Sequence, residues 1–484
     1  MSKGDMISDI KAIEEKVPTK IKFNFAMGNF ANSFLNGFVF GNLTYYYTEK
    51  LGADIILTGW AWLIFMIWNT LNDPIISYLI DNTRTKLGRR IPYIRWGSFF
   101  YGAVFIFCWF PIAEIGDTWG LFWNFLAALF LLDTMFTIVG CCFYSLPNEI
   151  AVTAKERASL TVYNVIAGFV NSAIGLVLPV LLLTGQEGIH PLFKPLMVIM
   201  GVFSSILLFV SSFFIKENMF AQMQPHEGFW EGIKLSFKNK PFWLFEVTSF
   251  SFSFIFPILS TGILYYIDYV IELTNIVSYA FLVALLLGIL FGLVIGVWVI
   301  KKIRPKKTLI LVELLMIFAF TVLFFVGRYP LISAVPFLIV GICFTGGSVA
   351  TAVVTGDSID NDELITGRRR EAIYGGVNAL IVKPALSIAQ WVFLVVLDRF
   401  GFNEPVEVAG IVIKQPQSEL TKTGILFAIF IIPAILLAIS AFFMKFYNLD
   451  GPEWEKKKEE ILSLHKAKEK QYFDSLKNSK EKEK

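Results

Sequence analysis

An apolar stretch of about 20 residues recurs along this chain, and that recurrence limits the fold more than any single motif does. Hydrocarbon about 30 Å thick is crossed by about 20 helical residues. No water reaches that depth to satisfy backbone amides, so each stretch must be a helix. With that length as the ruler, spans fall at 22–46, 54–80, 96–113, 119–146, 159–184 and 192–215, then at 243–267, 276–300, 308–327, 330–355, 372–397 and 423–446. Charged residues make up 17% of the chain, below the roughly 25% of soluble domains, and 49 Phe and 12 Trp would overfill a water-soluble core of this length. An all-α membrane protein of about twelve helices follows.

The arrangement divides the chain into an N-terminal segment (1–21), a six-helix half (22–215), a polar linker (216–242), a second six-helix half (243–446) and a charged tail (447–484). Two equal halves with basic turns after spans 2 and 8 are the hydropathy symmetry of the major facilitator plan, built around a central pathway. Arg84, Lys86, Arg89 and Arg90 follow span 2, Lys155 and Arg157 follow span 4, and Lys301, Lys302, Arg304, Lys306 and Lys307 follow span 8. Positive residues stay on the cytoplasmic side, so both termini, the linker and the tail are expected there, in a multi-pass protein of the plasma membrane. Lys50, Lys414 and Lys422 break the alternation. Met1 to Lys20 lacks the apolar core of a cleavable signal. The tail, rich in Lys and Glu, reads as a solvated helix or an extension.

Polar groups inside spans are costly and need a partner or a task. Asn69, Asn72 and Asp73 share one face of span 2, and Pro74 removes the backbone donor that would satisfy the Thr70 carbonyl. A carboxylate, amide oxygens and a freed carbonyl suit a hard cation such as sodium, and the carboxylate alone suits a proton; a polar clasp between helices is the bland alternative. Lys383, beside Pro384 in span 11, needs an anion, for which Asp73 is the candidate, unless its ammonium reaches the cytoplasmic interface. Asp133, with Thr137 and Gly140 on the same face of span 4, is a candidate for the cavity wall. Glu246 and Glu313 lie near span ends and read as interfacial. Cys108, Cys141, Cys142 and Cys343 sit in apolar runs, without metal-ligand spacing to any His. No nucleophile elbow or phosphate loop is present, so nothing points to an enzyme or to a resident cofactor.

Three segments carry more than hydropathy. Tyr45-Tyr46-Tyr47-Thr48 with Asn72-Asp73-Pro74 and 81–92 (DNTRTKLGRRIP), Phe143-Tyr144-Ser145-Leu146-Pro147-Asn148-Glu149-Ile150, and Asp357-Ser358-Ile359-Asp360-Asn361-Asp362-Glu363 with Gly367 to Glu371 and on to Lys383 resemble the glycoside-pentoside-hexuronide:cation symporter family. The resemblance implies a cation site of Asn69, Asn72, Asp73 and Thr137. It also implies a sugar cavity bordered by Tyr144 and Lys383; Ser33 of span 1 and Asp133 and Gly140 of span 4 are further candidates for the substrate site. It implies a cytoplasmic gate in which Arg157, Asp357 and Asp360 pair between halves, networked by Arg369. The chain departs from the family pattern where Ser33 and Gly140 stand in place of carboxylates, Val165 in place of an arginine, and Asn69 in place of a second span 2 carboxylate. The expectation is a secondary transporter that moves a sugar-like solute by alternating access with sodium or a proton. Its partners would be the solute and the bilayer, with no nucleic acid and no obligate protein partner. A uniporter or carrier of a lipid or other amphiphile is the rival within transport, and a non-transporting receptor or scaffold the rival outside it.

Overall fold

The structure, a computed structural model, describes residues 17–85, 87–150, 154–215, 236–272, 276–367, 370–461 and 463. The first half comprises α1 (Thr19–Tyr45, prolonged by a π-helical turn Tyr46–Lys50), α2 (Ile55–Asn82), α3 (Ile91–Trp109), α4 (Thr118–Ile150), α5 (Ala154–Leu183) and α6 (Phe193–Phe214). The second comprises α7 (Lys240–Tyr266, prolonged by a π turn Ile267–Ile271), α8 (Ala280–Ile303), α9 (Pro305–Val326), α10 (Pro330–Thr366), α11 (Glu371–Arg399) and α12 (Glu419–Met444, with a π turn at Phe427–Ile431). Between α11 and α12 lies an antiparallel hairpin, β1 (Val406–Val408) with β2 (Ile411–Ile413). Helices α2 to α12 are long and apolar enough to cross a membrane. At 27 residues α1 has the length, but Lys20, Lys22 and its asparagines dilute it.

Within each half the helices pack in corresponding pairs: α3 on α6 and α1 on α6 in the first, α9 on α12 and α7 on α12 in the second. Lipid provides no hydrophobic drive between helices, so close approach depends on small residues. The α8–α10 contact is the clearest case. A Cβ on Gly296 would come within 2.6 Å of Gly346 Cα, and one on Gly292 within 2.6 Å of the Ile342 carbonyl. The two backbones therefore touch, and any larger residue would force them apart. The halves meet mainly along α2 with α11 and α1 with α7.

Both chain ends of the described protein, with the α2–α3 and α8–α9 turns, lie at one end of the bundle, called here the termini end. The hairpin and the π turns of α1 and α7 lie at the other, the far end. Glu246 and Glu313, placed near span ends by the sequence, are covered by neighbouring helices there: they are 3% and 0% exposed. Asn378 Nδ2 of α11 donates to both Glu246 oxygens, at 3.1 and 3.0 Å, and Ser440 Oγ of α12 donates to Glu313. The tail begins as the expected, largely solvated helix, residues 452–461, but it is docked: Trp454 packs with Phe245, Leu309, Val354 and Tyr447 under the second half, and Ile461 is also buried.

Candidate functional site

Three helices bring the polar intramembrane residues together. α2 carries Asn69, Asn72 and Asp73 one turn apart, α4 carries Asp133 and Thr137 one turn apart, and α11 crosses from the opposite half with Lys383. Lys383 Nζ donates to Asp73 Oδ1 at 2.6 Å and to Asn72 Oδ1 at 3.0 Å. Thr137 Oγ1 donates to the same Asp73 oxygen at 2.9 Å, and Asn72 Nδ2 donates to Asp133. The network is thus ordered by valence: Asp73 and Asp133 accept, Lys383 and Thr137 donate, and Asn72 does both. Asn69 is buried beside it and makes no side-chain hydrogen bond among the described residues. Asn72, Asp133 and Thr137 are buried, whereas the Lys383 and Asp73 side chains stay 15% and 27% exposed. The ion pair therefore borders open space rather than a dry core, and an ammonium holds oxygens that a small cation would also favour.

Beside Lys383 the second half contributes a cavity of about 380 Å³ lined by Phe252, Phe256, Phe344, Val382 and Leu386, with Ser253 and Ser348 as its hydroxyls. Tyr144 of α4 is 77% exposed, and its hydroxyl lies beside Gly375 of α11, 3.2 Å from where a Cβ there would stand. Ser33 is half-buried and makes no side-chain hydrogen bond among the described residues. Its neighbour Asn32 approaches Gly140 instead, with Nδ2 3.6 Å from where a Gly140 Cβ would stand and a buried Oδ1 that has no hydrogen-bond partner among the described residues. An amide among the apolar residues of α1 is the sequence signal that marks Asn32.

At the termini end, Asp357 near the end of α10 pairs with Lys458 of the tail helix. Asp360 is half-buried one turn on. Arg157 belongs to the first turn of α5, but its side chain, like all of Arg369, lies outside the described residues. The neighbouring Glu156 pairs with Lys22 of α1 at 2.7 Å. The tight pair of this region is Arg370 with Asp362, bidentate at 2.5 and 2.9 Å.

The far end holds a second polar cluster that hydropathy did not single out. Tyr45 of α1 donates to Asp268 of α7, Tyr265 of α7 bonds Thr48 of α1, and Tyr269 of α7 donates to Glu49 of α1. Lys414, just past the hairpin, pairs with Asp268, whose other oxygen accepts from Gly185 N–H at 2.7 Å. Ile55 N–H donates to Glu404 at 3.0 Å, and burial raises that carboxyl above the usual carboxylate range. The three lysines that break the charge alternation are all engaged here: Lys414 as above, Lys50 on the Gln186 carbonyl at 2.7 Å, and Lys422 with Glu272 at 3.2 Å. The far end is sealed between halves. At midspan the Lys383 pair still faces open space.

Comparison with known proteins agrees with this architecture. The chain is 26% identical to the uncharacterized symporter YnaJ of Bacillus subtilis over 475 residues, covering 96% of this chain and 98% of that one. It is 22% identical to the isoprimeverose transporter of Lactiplantibacillus pentosus, covering 90% of each. Its fold matches the crystal structure of a D-xylose-proton symporter with a TM-score of 0.62 at 12% identity, over 88% of this chain and 97% of that one. The family model described as MFS/sugar transport protein matches residues 24–451, and the chain belongs to that family.

Proposed function

We propose that this transporter carries a sugar-like solute by symport with a cation, alternating access to the midspan cavity between its two halves. The observation that carries the reading is Lys383 of one half bound to Asp73 and Asn72 of the other in a half-exposed setting. A cation arriving at Asp73, Asn72, Asn69 and Thr137 competes with the ammonium for the same oxygens, and a proton on Asp73 would release it equally well. Either event frees Lys383 to meet solute hydroxyls and weakens a bond between halves, which is the differential interaction that coupling requires. The sugar assignment is supported by the isoprimeverose carrier among the relatives and the D-xylose-proton symporter among the structural neighbours. The termini end is cytoplasmic in this proposal, because Arg84, Arg89, Arg90, Lys301 and Lys302 gather there, and the membrane is the plasma membrane.

The cytoplasmic gate belongs to the same proposal. When the inner side closes, Asp357 exchanges Lys458 for Arg157, with Asp360 and Arg369 completing the network. Arg157→Ala should then lower transport and raise labelling of a cysteine at Tyr144 from the inner side; normal transport with unchanged labelling would leave Arg157 a topology signal only.

The test of coupling is uptake of pentosides and hexosides into proteoliposomes with an imposed sodium or proton gradient. Accumulation driven by one gradient, and lost in Asp73→Asn, is expected; accumulation unchanged by Asp73→Asn would refute the coupling role. A second reading, carriage of an amphiphile, is favoured by the phenylalanine wall beside Lys383. Thermal stabilisation by alkyl glycosides but not by the corresponding free sugars would select it.

A further inference from the structure

The far-end seal contains a carboxyl in a setting that midspan chemistry does not explain. Glu49 is 0% exposed, and its Oε1 has no hydrogen-bond partner among the described residues. Its Oε2 accepts from Tyr269 of the opposite half. The groups facing it are Tyr45 and Lys50 on α1, Tyr265, Asp268 and Tyr269 on α7, and Lys414 after the hairpin. Both cations of that set are committed elsewhere, Lys414 to Asp268 and Lys50 to the Gln186 carbonyl, and Glu49 forms no ion pair among the described residues. A second carboxylate, Asp268, stands close by.

We propose that Glu49 is a proton-binding site that operates the far-end seal. It takes up a proton from the far-side water as the halves close over it, and gives the proton back to that water as they part. The physical case has two parts. An ionised carboxylate sealed in with no cation bonded to it, beside another carboxylate that already holds Lys414, is more costly than a neutral one. Once α1 and α7 separate, water solvates the carboxylate and the penalty disappears. The neutral form is thus favoured only in the closed state. Low far-side pH holds the seal shut, and rising pH opens it by at most about tenfold in the open-to-closed ratio per unit for one proton. The proposal needs only alternating access, not the sugar or the coupling ion, so it can fail while symport stands and the reverse.

The test is a spin-label distance across the far end, in the full chain in nanodiscs without added solute. Labels go on Thr118→Cys and Leu420→Cys, with Cys108, Cys141, Cys142 and Cys343 replaced by alanine, and pH is stepped from 5 to 9. The parent protein should shift from short to long distances as pH rises. Glu49→Gln should stay at the short-distance distribution across the range, and Glu49→Asp should keep a pH-dependent shift. Tyr269→Phe keeps the carboxyl but removes the hydroxyl that steadies its charged form, so its midpoint should move to higher pH. A flat parent response, a Glu49→Gln slope equal to the parent's, or an unmoved midpoint in Tyr269→Phe would each overturn the proposal.

Discussion

Helix α11 begins at one ion pair and carries another at midspan, and the two differ in every respect that matters for movement. Arg370 and Asp362 belong to one half, are 3% and 1% exposed, and share two parallel hydrogen bonds. Lys383 and Asp73 come from opposite halves, are several-fold more exposed, and share one carboxylate oxygen with Thr137. A planar guanidinium forked onto a carboxylate fixes geometry, whereas an ammonium on a flexible stem can be exchanged for another cation at little cost. The first pair holds the α10–α11 turn in shape; the second joins surfaces that must part.

The largest effect expected from this contrast is on Arg370→Ala, which strands a buried carboxylate and should cost about 3–5 kcal/mol, against no more than about 1 kcal/mol for Lys383→Ala. Thermal unfolding in detergent measures both, and equal losses would break the comparison. Next, replacing Asp362 and Arg370 together by Leu and Met should be neutral or stabilising by about 1–4 kcal/mol, because no charge is left unpaired. The same treatment of Asp73 and Lys383 should leave folding intact and remove transport. Thr137→Val should cost about 0.5–1.5 kcal/mol and weaken solute stabilisation by the coupling cation, since one donor to Asp73 is lost.

The positions of the midspan network were legible in the sequence because a charge or amide in a 20-residue apolar run is costly and calls for a partner. Asp73, Asn72 and Lys383 stand out on those grounds alone. At the ends of runs the same residue types are ordinary, so nothing in the sequence marks Glu49 and Asp268, or sets Lys414 beside them, until the fold brings three separate segments together. The cover over Glu246 and Glu313 is not legible in the sequence, because it depends on which neighbours reach the turn, here α11 and α12. The docking of the tail is not legible either, because Lys and Glu dominate its composition while its contact rests on two apolar residues two turns apart, Trp454 and Ile461. Ser33 shows the limit of position-by-position transfer, since Asn32 beside it is the residue that meets Gly140.

The far-end contacts carry a relation that neither half shows by itself. Tyr45 opens the last turns of α1, and Tyr265 opens the last turns of α7, the first helices of their respective halves. Tyr45 reaches the residue three beyond Tyr265, which is Asp268, and Tyr265 reaches the residue three beyond Tyr45, which is Thr48. Each half therefore offers the other the same tyrosine-and-partner pair, as the subunits of a two-fold dimer do. Parting the halves at this end means breaking both bonds, one held by each half's tyrosine. The two partners are unequal, a hydroxyl against a carboxylate, and the duplicated frame thereby gives one half alone the charge that Lys414 answers.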